Sequence, residues 1–185
     1  MKKVLLLITS IFLLTQAVWA YQTVLINFPK SEGWHCVYYK KQRNGEAILQ
    51  YVPKGETENK WTRTLVFHSY KISRWVQNAA GLMDRSTMQM ENQNSSQLYK
   101  YLKYTAMDSI AVRCVRGNVN IPSQCEIYRT SKSFEGIISM HYINKDIQDY
   151  EKNYDKWLDI VKNITIYSSY YRTNRVLDKA TSFEL

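Results

Sequence analysis

Between Ile147 and Ile164 the side chains of Ile147, Tyr150, Tyr154, Trp157, Leu158, Val161 and Ile164 return every third or fourth position, which places them on one stripe of an α-helix. Asp146, Asp149 and Glu151 gather at its start and Lys162 near its end, so the charges oppose the helix dipole at both ends. A second helical spacing runs through Trp75, Val76, Ala79, Ala80 and Met83, with Ser73 as the expected N-cap and a polar loop from Asp84 to Ser96 after it. A short third helix is expected from Ser96, burying Leu98, Leu102 and Ala106.

Elsewhere the period drops to two. Trp34 to Lys40 and Glu46 to Val52 read as a hairpin joined through Gln42-Arg43-Asn44-Gly45, and the Asn-Gly pair predicts a type I′ turn with positive φ at both residues. Pro53 to Lys60 is a loop. The strand after it, Trp61 to Tyr70, sets Trp61, Leu65 and Phe67 on one face, interrupted by Arg63, and Thr62, Thr64, Val66 and His68 on the other. Three further strands follow in quick succession: Ile110, Val112 and Cys114 share a face, then Cys125 and Ile127, then Ile138, Met140 and Tyr142, with Ser133 to Gly136 as the last turn. Tyr21 to Phe28 is expected to be an extended arm or edge strand, Thr165 to Tyr171 a final strand, and residues 172–185 a loose polar tail. The order predicts an α+β fold, an antiparallel sheet of about five to seven strands covered by helices.

The N-terminus follows a different pattern. Lys2 and Lys3 precede an apolar run of eleven residues, Val4 to Leu14, and Val18 and Ala20 supply small side chains before Tyr21. This is the pattern of a secretory signal peptide, expected to be cleaved after Ala20, and the run is too short to cross the roughly 30 Å of bilayer hydrocarbon. The expected organisation is a leader over 1–20, one domain over 21–171 and the tail, in a periplasmic or extracellular protein with no transmembrane span after cleavage.

Composition agrees with a packed domain: 45% of residues are apolar and only 6 are Gly and 3 Pro, which excludes a disordered or linker-like chain. The 25 Lys and Arg outnumber the 16 Asp and Glu, a formal +9, and removal of Lys2 and Lys3 leaves +7 (9 − 2). That excess favours anionic partners and says nothing of the fold. Basic and aromatic side chains interleave at Tyr99-Lys100-Tyr101-Leu102-Lys103-Tyr104, which makes Lys100, Tyr101, Lys103 and Tyr104 the candidate binding residues; nucleic acid is a further possible partner of such a surface.

Three cysteines remain after export, and three pairings are open. Cys114 with Cys125 is the expected disulfide, because the ten residues between them include Gly117, Asn118, Asn120 and Pro122 and read as a hairpin-like connection. Cys36, in the apolar run from Trp34 to Tyr39, is expected to be a buried thiol. No CxxC, HxxxH or HExxH spacing points to a metal, no glycine-rich loop to a phosphate, and no GxSxG to a serine nucleophile, so no cofactor and no catalytic residue is assigned. One alternative stands beside this: Glu126, Arg129 and His141 on neighbouring strands offer a base, an acid and a phosphate-stabilising cation for a ribonuclease or other phosphodiesterase.

Tyr51-Val52-Pro53-Lys54-Gly55, Trp61-Thr62 opening a strand, Cys125-Glu126 with Arg129, Glu135-Gly136-Ile137 leading to Tyr142, and a helix carrying Trp157 together resemble small exported bacterial proteins of the PsbP-like and DcrB-like kind. The resemblance spans residues 34–166. It implies an α-β-α sandwich that serves as a binding or accessory module of the cell envelope, without catalysis. The chain departs from lipid-anchored members in lacking a cysteine at the expected cleavage site. The expected function is therefore an exported, non-enzymatic protein that presents a basic, tyrosine-rich surface to a partner protein or an anionic envelope component.

Overall fold

A computed structural model describes residues 22–91, 97–117, 122–168 and 181–184 of the chain. The expected leader, residues 1–20, and residues 172–180 of the expected tail lie outside the described residues. The elements are β1 (Gln22–Ile26), β2 (His35–Lys41), β3 (Ala47–Val52), β4 (Arg63–Tyr70), α1 (Ala79–Glu91), β5 (Gln97–Lys103), β6 (Asp108–Val115), β7 (Gln124–Lys132), β8 (Ile137–Asn144), α2 (Ile147–Asn163), β9 (Thr165–Ser168) and β10 (Thr181–Glu184).

Seven strands form one antiparallel sheet in the order β2-β3-β4-β8-β7-β6-β5, and β10-β1-β9 form a smaller one. The α+β expectation holds, and so does the meander of β6, β7 and β8. α2 begins at Asp146, whose carboxylate accepts from Asp149 N–H at 3.0 Å, and it buries Tyr150, Trp157 and Val161.

The large sheet is covered on both faces because its strands carry apolar side chains at both parities. On the α2 face, Leu65, Phe67, Ile127, Met140 and Tyr142 join the helix in the main core, and Val24 and Ile26 of β1 enter the same cluster. Trp157 is wholly buried there, stacked on Tyr142 with ring centroids 4.0 Å apart and meeting the edge of Trp34 at 4.9 Å. On the opposite face, Met83 of α1 packs on Ala111 and Tyr128, and Leu82 with Val76 packs on Ile137.

Six expectations need correction. β1 is the central strand of the small sheet rather than an edge. The β2–β3 turn is not type I′: only Gly45 takes positive φ, and the loop closes through Gly45 N–H to Gln42 O and Gln42 N–H to Glu46 O, the longer hairpin pattern with glycine in the left-handed position. Ser73 caps no helix. Its hydroxyl accepts from the Trp75 and Val76 amides in a closed turn, Trp75 is exposed, and α1 starts only after Asn78, whose side chain accepts from Gly81 N–H at 2.8 Å. α1 then runs through Asp84 to Glu91, where a loop was expected, and Gln97–Lys103 is a strand rather than a helix. Finally, Thr181–Glu184 is not loose, since it pairs antiparallel with β1.

Candidate functional site

The disulfide between Cys114 and Cys125 joins directly opposed residues of β6 and β7, with Cα atoms 4.0 Å apart. Once 114 is set against 125, antiparallel pairing sets Arg113 against Glu126. Their side chains meet on the α1 face, both nearly removed from water. His141 pairs with Tyr128, stacks on its ring at 4.1 Å, and brings Nδ1 to 3.7 Å from Glu126 Oε2. The Arg113 guanidinium also lies over the Tyr128 ring, 5.0 Å from its centroid. Burial alone would raise the Glu126 carboxyl, but the charge of Arg113 and the hydrogen bond and charge of His141 outweigh it and hold it below its ordinary value.

Two further groups extend this polar row. His68 lies against the Tyr70 ring, centroids 3.9 Å apart, with Nε2 buried and without a hydrogen-bond partner. Burial pushes its pKa down and keeps the ring neutral. Ser139, wholly buried, is within 3.2 Å of His141 Nε2. The cluster is thus an ionised carboxylate clasped by arginine beneath α1, with a half-buried histidine at its margin. Glu126 is only 4% exposed.

Arg129 is not part of the cluster. Residues alternate faces along β7, so Arg129 points to the α2 side. There Nε donates to Asp108 at 2.8 Å, and one guanidinium nitrogen donates to the carbonyls of Val161, Lys162 and Ile164 at 2.8, 3.0 and 2.9 Å. It closes the C-terminus of α2. The phosphodiesterase alternative therefore keeps two of its three residues together, and the cation beside them is Arg113, which sequence reasoning missed although the expected disulfide already implies its register.

The four candidate binding residues lie on and just beyond β5, at the edge of the large sheet. Tyr99, Tyr101 and Tyr104 form a ladder of edge-to-face rings with centroids 4.6 and 4.9 Å apart. The hydroxyls of Tyr101 and Tyr104 both donate to the Asp84 carboxylate of α1, which ties the rim to the helix. Lys103 is held by Asp108 at 2.7 Å, whereas Lys100 stands exposed. Lys100 borders an open groove of about 240 Å³ lined by Tyr99, Val112, Arg113, Cys114, Tyr150 and Tyr154 as well. Tyr150 and Tyr154 come from α2 and were read in the sequence only as core positions.

Cys36 is exposed rather than buried, because it lies on the outermost strand where the β2–β3 register shifts between Cys36 and Tyr38. His35 is exposed beside it. Among the described residues no group of three or more His, Cys, Asp or Glu is placed to hold a metal ion, and no helix is long and apolar enough to cross a membrane. Compared with protein-family models, curated proteins and solved structures, the chain matches none.

Proposed function

We propose that this chain is an exported, non-enzymatic binding or accessory protein of the bacterial cell envelope or secretome, periplasmic or extracellular after cleavage behind Ala20. Its contact surface is the basic, tyrosine-rich rim around β5. The observation that carries this reading is the groove beside Lys100: it is open, walled by Tyr99, Tyr150 and Tyr154, and runs along an edge strand. Its volume of about 240 Å³ suits one or two side chains of a partner. An edge strand offers unpaired backbone groups to an extended segment, and Lys100 favours an acidic one. The PsbP-like and DcrB-like resemblance, with its sandwich of helices on both faces of a sheet, supports the same class.

The contact of Glu126 with His141 favours a second reading, a small secreted phosphodiesterase. Burial of Arg113 and Glu126 weighs against it. One experiment separates the two. A photo-crosslinking residue replacing Lys100 in the producing cells is expected to give a discrete adduct that the same residue at exposed Lys152 does not. Absence of any adduct, together with RNA hydrolysis by the purified protein that is lost in His141→Ala, would overturn the binding reading in favour of the enzyme.

A further inference from the structure

Three turns meet at one end of the large sheet, far along the strands from the disulfide. β4 ends at Tyr70 opposite Ile137, where β8 begins; the β7–β8 turn closes through Ser133 N–H to Gly136 O beside it. The β5–β6 turn is tied to the same corner by Lys132 N–H donating to Met107 O, and Ala79 N–H donates to Ala106 O. Nine large apolar side chains stand exposed among the described residues, and five of them, Ile72, Trp75, Tyr104, Met107 and Phe134, are on these three turns. Phe134 is 83% exposed, Trp75 64%, Met107 59% and Ile72 46%, so none of the four is held in the fold by its own packing. Such a concentration at one end marks an interaction site rather than the scattered apolar exposure of an ordinary surface.

The charges between them have one sign in excess. The segments 71–76, 103–108 and 132–136 carry Lys71, Arg74, Lys103 and Lys132 against Asp108 and Glu135. Asp108 is already neutralised by Lys103 and Arg129, and Glu135 accepts from the Ser133 hydroxyl. Arg74 lies over the Trp75 ring, 4.5 Å from its centroid, which puts a cation beside the most amphipathic of these side chains. We propose that this end of the sheet is a peripheral anchor for an anionic phospholipid surface, with Trp75, Phe134, Met107 and Ile72 entering the interface and Lys71, Arg74 and Lys132 at the headgroups. Apolar side chains presented on three neighbouring turns, with Lys71 beside Ile72 and Arg74 over Trp75, suit insertion at an anionic bilayer interface. The excess of cations over anions selects an anionic surface. The site is independent of the groove beside Lys100.

The test uses protein purified from the cells that export it, mixed with phosphatidylcholine vesicles containing about a quarter phosphatidylglycerol or none. Co-sedimentation with the anionic vesicles, weakened by salt and absent with neutral ones, is expected for the parent. The double variant Trp75→Ser/Phe134→Ser should lose about tenfold or more in vesicle affinity, and Lys71→Glu/Arg74→Glu a similar factor on anionic vesicles alone. All these side chains are exposed, so the melting temperature should not move. Every variant shares the same N-terminus, so the difference reads the turns. Lys100→Glu should bind vesicles as the parent does, which separates this site from the groove beside Lys100. Equal binding by the double variant would overturn the proposal. So would a self-associated parent, seen by sedimentation without vesicles, that the same substitutions dissociate, because the occupant would then be a second copy.

Discussion

Arg113 and Glu126 are register partners on adjacent strands, and their side chains meet beneath α1 with almost no contact with water. Removing one partner leaves the other as an uncompensated buried charge. Arg113→Met is therefore expected to cost about 3–5 kcal/mol, whereas Arg113→Met/Glu126→Leu should cost much less, because neither charge remains to be desolvated. Chemical denaturation of the two variants checks the inequality.

His68 and Glu126 on that face, and Glu32 on the α2 side, shape the response to acid. His68 is depressed by burial below its ordinary 6.5, so the unfolded chain takes up that proton first and stability declines as pH falls below that value. Glu126 lies below 4.5, and its contribution is complete above that pH and lost as pH drops through the folded value. Glu32 acts in the same direction: burial raises it, but the hydrogen bonds of Lys156 and Trp34 and the charge of Arg63 bring it lower. Two descending limbs are expected in a plot of unfolding free energy against pH, and His68→Gln should remove the upper one while leaving the lower.

Much of this architecture is legible in residue order. The stripe of α2 and the alternation of β6, β7 and β8 each have one dominant period, and the hairpin signal at Asn44-Gly45 locates β2 and β3 even though the turn type differs. Gln97 to Lys103 was ambiguous in principle, since Leu98, Leu102 and Ala106 keep a helical spacing while Tyr99 and Tyr101 alternate. Pairing with β6 at six positions between Gln97 and Lys103 decided it for the strand. Ser73 misled because its hydroxyl caps a closed turn with the same local chemistry as a helix start. At the candidate site the disulfide was readable and the register it imposes was derivable, but the groove wall from Tyr150 and Tyr154 needs the docking of α2, which no local pattern encodes.

The disulfide itself spans residues 11 apart in sequence and fastens β6 to β7 beside the groove. A loop of that length predicts a loss of about 3 kcal/mol in Cys114→Ser/Cys125→Ser. The measurement is urea unfolding of the variant against the oxidised parent, with Cys36→Ser as the control that should change neither, since that thiol is exposed.

Trp157 fills the centre of the main core between Tyr142 and Trp34, and its Nε1 is buried without a hydrogen-bond partner. Trp157→Ala should cost about 3–5 kcal/mol through the cavity it leaves. Trp157→Phe should cost less than half as much, because it keeps an aromatic ring on Tyr142 and removes the unpaired N–H. Thermal unfolding of the pair decides whether packing or that N–H dominates.

Arg129 offers the sharpest contrast between a catalytic and an architectural cation. Three carbonyls at the end of α2 and the Asp108 carboxylate occupy its guanidinium, and those carbonyls are among the acceptors that a helix C-terminus leaves without intrahelical partners. Arg129→Ala is expected to lose about 1–3 kcal/mol by stranding them. Arg129→Lys should recover little, since a single ammonium cannot reach Asp108 and the three carbonyls in the geometry of the planar fork. Hydrogen exchange supplies the local readout: amides of the last turn of α2 and of β9 should lose protection in both variants, while those around Glu126 and His141, on the other face of the sheet, keep theirs. Uniform loss of protection across both faces would mean that Arg129 supports the whole sheet rather than the helix end.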